Sequence, residues 1–168
     1  VNPGITPTCT IDGGAATLIE AGSTGTGEGP AVGVALFTKN HAAGATGDIV
    51  VSWAGAPMQG IVVLQTRGYD LIPAHQTRSS QFPVLSGTTE IGVPAGGLLI
   101  AVSGRRLPDL SAITFAGVTK RGSDVVQARR DWGWSHRVAV ASSHDVTFTP
   151  WLAGEGRQRW VLASFGRL

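Results

Sequence analysis

Four histidines, eleven carboxylates and one cysteine are the residues of this chain best suited to breaking or transferring a bond. Such chemistry needs them in particular combinations: a nucleophile with its base, paired carboxylates, or ligands at metal-binding spacing. His41, His75, His136 and His144 are scattered, with no His-Glu-x-x-His and no Gly-x-Ser-x-Gly anywhere in the chain. His144 and Asp145 adjoin within a strand-like run, where successive side chains leave on opposite faces. Each histidine is therefore expected to be a turn or surface residue.

A glycosidase asks only that two carboxyls meet in space, which a sequence alone does not decide. Asp12, Asp48, Asp109 and Asp124 each adjoin turn residues, where aspartate satisfies backbone amides. The solitary Cys9 excludes an internal disulfide, or a thiolate-rich metal centre built by this chain alone, and reads as a small buried apolar residue. The glycines of Gly22-Ser23-Thr24-Gly25-Thr26-Gly27-Glu28-Gly29 have tempting spacings for a phosphate loop. They lack the Lys-Ser/Thr of a Walker loop, and Pro30 with a β-like run follows where a helix should begin. No cofactor, no metal and no catalytic residue is expected.

One segment stands out for binding: Arg129-Arg130-Asp131-Trp132-Gly133-Trp134-Ser135-His136. Flat indole faces beside planar guanidinium forks suit stacking on sugar rings or on partner side chains. Arg129, Arg130, Trp132, Trp134 and His136 are the candidate binding residues. The tryptophans are expected in a connection between strands, with at least one facing solvent or a partner, because burying so many charged neighbours would be costly. The competing reading closes the end of the core with one or both indoles.

The elements that must carry these residues are strands. Twenty-four glycines and nine prolines interrupt nearly every window long enough for a helix, and short Val/Ile/Thr/Phe/Trp runs recur between them. Strands are expected near Thr8 to Asp12, Ala15 to Glu20, Ala31 to Thr38, Asp48 to Ala54, Met58 to Arg67 and Thr88 to Val93. Further strands are expected near Leu98 to Ser103, Ala112 to Val118, Ser135 to Ser142, Asp145 to Thr149 and Gln158 to Phe165. Ile49, Val51 and Trp53 share one face by alternation, as do Val146 and Phe148. Ile61 to Leu64 and Leu98 to Val102 are apolar on both faces and read as central strands. Ala45-Thr46-Gly47-Asp48 and Pro94-Ala95-Gly96-Gly97 carry turn chemistry. The one helix candidate is Ser123 to Trp132, with Ser123 as its cap.

The order of motifs repeats. Thr10-Ile11-Asp12-Gly13, Ala31 to Thr38, Gly47 to Trp53 and Met58 to Leu64 are echoed by Thr114-Phe115-Ala116-Gly117, Arg137 to Ser143, His144 to Pro150 and Arg157 to Ala163. Duplication of a four-strand unit would build the two parts of one sandwich. The gap from Gly68 to Gly87 breaks the rhythm, and the polar stretch Ala74 to Gln81 within it is a candidate contact surface.

Charge excludes other partners. The net excess is +2, with Lys39 and Lys120 the only lysines and the arginines spread among acids, so no basic stripe exists for a nucleic-acid backbone. No apolar run approaches the roughly 18 residues of a membrane span. The length fits one domain over residues 1–168, large enough to hold a core without disulfide or metal.

The run His41-Ala42-Ala43-Gly44-Ala45-Thr46-Gly47-Asp48-Ile49-Val50-Val51-Ser52, with Val93-Pro94-Ala95-Gly96-Gly97-Leu98-Leu99-Ile100-Ala101, resembles β-sandwich structural proteins of tailed bacteriophages, prophages and phage-like particles. Thr10 to Thr17 and Trp160-Val161-Leu162-Ala163 extend the likeness over most of the chain. The resemblance implies strands upstream of the Thr-Ile-x-Gly segment, so Val1 is not expected to be the true start. It implies structural positions only and transfers no functional residue.

Together these readings give an all-β, two-sheet antiparallel β-sandwich of jelly-roll type. The leading expectation for its role is a non-enzymatic virion component, a decoration, fibre or spike-type protein. Its partners would be other virion subunits, copies of itself in a homo-oligomer, and a host surface glycan, with no nucleic acid and no membrane. A carbohydrate-binding adhesion module is the first alternative, and a polysaccharide-cleaving enzyme the second.

Overall fold

The computed structural model describes residues 7–23, 33–40, 47–52, 61–72, 74–79, 87–106, 113–126, 128–136, 142–150 and 158–168. Their regular structure is β throughout. In chain order the strands are β1 (Thr8–Ile11), β2 (Gly14–Ala15), β3 (Thr17–Ser23), β4 (Gly33–Thr38), β5 (Ile49–Ser52), β6 (Tyr69–Asp70) and β7 (Gln76–Ser79). They continue as β8 (Gly87–Val93), β9 (Leu98–Arg106), β10 (Ile113–Ala116), β11 (Lys120–Val126), β12 (Ala128–His136), β13 (Ser142–Pro150) and β14 (Gln158–Arg167).

Every ladder is antiparallel. The largest sheet runs β11, β12, β9, β14 and β6, and β7 pairs with β14 beside β6. Strands β10, β13 and β8 form a second sheet, β3 and β4 a two-stranded sheet, and β2, β1 and β5 a fourth.

The core sits on both faces of β9 and β14. Because side chains alternate along a strand, each strand feeds two clusters. Leu99, Ala101, Trp160 and Leu162 pack with Ile91 and Val93 of β8, Val146 of β13 and Val118. Leu98, Ile100, Ala163 and Phe165 pack the opposite way, against Ile19 of β3, Leu36 of β4, Leu64, Tyr69 and Leu71. The sheet of β10, β13 and β8 thus lies on one side of the central strands and the β3–β4 pair on the other. This is why the stretch from Leu98 reads as an unbroken apolar run: Leu98 to Ala101 are buried on both faces and Val102 partly so. The central position expected of it is the one it holds.

Two side chains join the central sheet to its neighbour at Gly92. Gln76 Oε1 accepts from the Gly92 N–H at 2.8 Å, and the Ser164 hydroxyl donates to the Gly92 carbonyl at 2.7 Å. Gly92 stands opposite Ser143 in the β8–β13 ladder, so these bonds occupy the backbone groups that β8 turns away from β13. A strand edge is thereby closed by side chains instead of by another strand. Ser164→Ala is expected to cost about 1 kcal/mol, the net worth of one hydrogen bond. Gln76→Ala should cost about 1–3 kcal/mol, because it strands a backbone donor. Urea unfolding of the two variants measures both, and equal stability of Gln76→Ala and the parent would refute the role given to Gln76.

Turn chemistry follows the sequence where it is described. Asp12 and Gly13 carry φ of 51° and 67° between β1 and β2, the left-handed pair that a tight Asp-Gly hairpin requires. Gly96 has φ 67°, and the Gly97 N–H donates to the Pro94 carbonyl at 2.8 Å, closing the expected turn. Of the turn expected at Ala45 to Asp48 only Gly47 and Asp48 are described, and of the loop expected at Gly22 to Gly29 only Gly22 and Ser23, which end β3.

Several expectations are corrected. The helix candidate Ser123 to Trp132 is divided between β11 and β12, which pair with each other from Val126↔Ala128 to Asp124↔Arg130 and onward. Nine register pairs also hold β12 to β9, so the ladders on its two sides override its freedom from glycine at the start and its serine cap. Residues 61–66 form no strand, and Ile61, Val62 and Val63 are exposed, so only Leu64 of the expected central strand reaches the core. The polar stretch from Ala74 is not a free loop: β7 pairs with β14 inside the main sheet. The strand expected at Ser135 to Ser142 is the end of β12 and the start of β13, with residues 137–141 outside the described set.

Candidate functional site: strand β12 and the exposed face of β8 and β13

Arg129, Arg130, Trp132, Trp134 and His136 all lie in β12, not in a connection between strands. The correction has a physical reason, for β12 has a hydrogen-bonded neighbour on each side and its backbone groups are spent in two ladders. Opposite it on β9, Arg130 meets Gly104, Trp132 meets Val102, Trp134 meets Ile100 and His136 meets Leu98. On β11, Arg130 meets Asp124 and Trp132 meets Gly122. Arg129 falls in the alternate set, opposite Arg105 on β9 and Val125 on β11. The side chains of these five residues lie outside the described set, so the expectation that an indole faces solvent or a partner does too.

Backbone register nevertheless brings four of the five into one alternating series, Arg130, Trp132, Trp134 and His136. A glycine stands across from Arg130 on β9 and another across from Trp132 on β11. The signal that would have placed them in a strand was present in the sequence: large residues at every second position, with Asp131, Gly133 and Ser135 between.

The structure also assembles a pair that sequence reasoning left unnamed. Glu90 of β8 and Asp145 of β13 are register partners, and both are exposed. Residues directly opposite in an antiparallel pair have Cβ atoms about 4.5–5.5 Å apart. The Ser143 hydroxyl donates to Glu90 Oε1, and the Thr88 and Thr147 hydroxyls share a hydrogen bond of 2.7 Å one step along the same two strands. Two carboxylates facing each other across a ladder are the residue types a retaining glycosidase draws on. What the pair lacks is burial, since acid–base division of labour depends on environments that differ between the two carboxyls. Only the ladder register, not the sequence, could have found the pair.

Cys9 is buried in β1, as expected of a lone thiol. Burial raises its pKa above the ordinary thiol value, against a smaller lowering by the Lys39 ammonium. A neutral, enclosed thiol is a poor nucleophile. Alkylation by iodoacetamide near neutral pH is therefore expected to be at least about tenfold slower in native protein than in denaturant, and equal rates, read by mass spectrometry, would place Cys9 at the surface. Lys39 itself is spent on structure: its ammonium donates to the Ile11 carbonyl and, at 3.2 Å, to the Gly14 carbonyl, clasping the hairpin between β1 and β2.

Among the described residues no group of three His, Cys, Asp or Glu side chains gathers as a metal site. His75 lies just before β7, where its backbone N–H donates to the Ser164 carbonyl at 2.8 Å. His41 falls outside the described residues. No protein-family model, curated protein or solved structure matches the chain.

Proposed function

We propose that the chain is a non-enzymatic structural component of a phage or phage-like virion, a decoration, fibre or spike-type protein that works among copies of itself and other virion subunits. The observation that supports this reading is apolar surface left outside the core. Ile61, Val62 and Val63 are 43%, 39% and 67% exposed in consecutive positions. Strand β5, which among the described residues pairs only with β1, reads Ile-Val-Val-Ser with Val50 exposed. Proteins that act alone blunt such edges with lysine, proline or a bulge. Β-branched, uncharged segments are tolerated where another subunit covers them.

On this reading the strands on either side of β9 and β14 are parts of one sandwich of jelly-roll type, descended from a duplicated four-strand unit. In support, β1 pairs with β5 and β10 pairs with β13, both antiparallel, at the places where the motifs repeat. Against an exact copy, Ile61 to Leu64 has not kept the strand character of its counterpart in β14.

Static light scattering on purified protein, well above micromolar concentration, is the first test. An oligomer is expected, and cosedimentation with phage-like particles should follow. A strictly monomeric protein that also ignores such particles would overturn the proposal.

A second reading, a carbohydrate-binding adhesion module, is favoured by one observation: the common register series of Arg130, Trp132 and Trp134, with glycines at two of the facing positions. Stacking of an exposed aromatic on a planar partner is worth about 0.5–1.5 kcal/mol beyond area burial. Replacing both tryptophans by alanine is expected to lower glycan retention on an array of bacterial surface polysaccharides about tenfold or more, two such losses combined. If binding to every polysaccharide is nil in the parent as well, the adhesion reading falls and the structural one stands.

A further inference from the structure

We draw no further inference here: the strongest candidate, the exposed apolar run of Ile61, Val62 and Val63 on the segment preceding β6, already supports the assembly proposed above, and nothing in the structure shows what covers it.

Discussion

Gly117→Ala is expected to destabilise the protein by about 4 kcal/mol or more, a loss reserved for a few mechanisms, two of which coincide here. The backbone at Gly117 has φ 81°, a conformation that costs an L-residue about 1–2 kcal/mol. A Cβ there would also be driven into the carbonyl oxygen of Asp145, with the Val146 Cα close behind. Those are backbone atoms of β13, held between β10 and β8, so they cannot give way as the tip of a flexible side chain could. Gly13→Ala separates the two causes, since Gly13 has φ 67° with nothing within 4 Å of its would-be Cβ. It should lose only the conformational part, about 1–2 kcal/mol. Urea unfolding of the pair reads the difference, and equal losses would show that the chain does not approach Asp145 this closely.

The second large effect belongs to the last core side chain. Phe165 is fully buried and is the largest of the fully buried residues in its cluster. Phe165→Ala is expected to cost about 3–5 kcal/mol, through lost burial and the cavity left behind. For a domain of this size that corresponds to a fall in Tm of roughly 6–20 °C. Leu168, three residues on, is 82% exposed, and Leu168→Ala should stay within about 0.5 kcal/mol of the parent. Comparable shifts for the two in a thermal scan would contradict the placement of the second cluster.

The sequence carried the all-β class and much of the strand inventory because glycine and proline leave little else for apolar runs to do. Alternation also placed side chains correctly where a strand has one wet face. Ile49 and Val51 are half-buried between exposed Val50 and Ser52, and Val146 is buried beside exposed Asp145. Continuous apolar runs were less informative. Leu98 to Val102 and Ile61 to Leu64 look alike in sequence, yet the first is flanked by β12 and β14 while the second is in no ladder. What separates them is the supply of partners distant in the chain, and composition does not encode it. The segment Ser123 to Trp132 failed for the same reason, as its local freedom to form a helix says nothing of the ladder waiting on β9.

Of the candidate site, residue identity was legible and setting was not. Arg129 to His136 was singled out for its chemistry, and although its alternating large residues mark a strand, the strand that flanks it emerged only from pairing with Leu98 to Arg106. Glu90 and Asp145 lie far apart in sequence and in unlike contexts, and they became a pair only through the β8–β13 register.

The double burial of β9 and β14 bears on how the chain reaches its native state. Strand β14 lies between β9 on one side and β6 and β7 on the other, and its side chains fill both core clusters. A ribosome delivers it after every other strand described here. Until then the inward faces of β3, β4 and β8 lack the contacts they make with β14, and β9 lacks one of its two neighbours. Contacts that span so much sequence make closure slow, and the waiting chain exposes apolar surface of the kind that recruits chaperones or aggregates. Closure of both core clusters is thus deferred to the arrival of a single ten-residue segment, Gln158–Arg167.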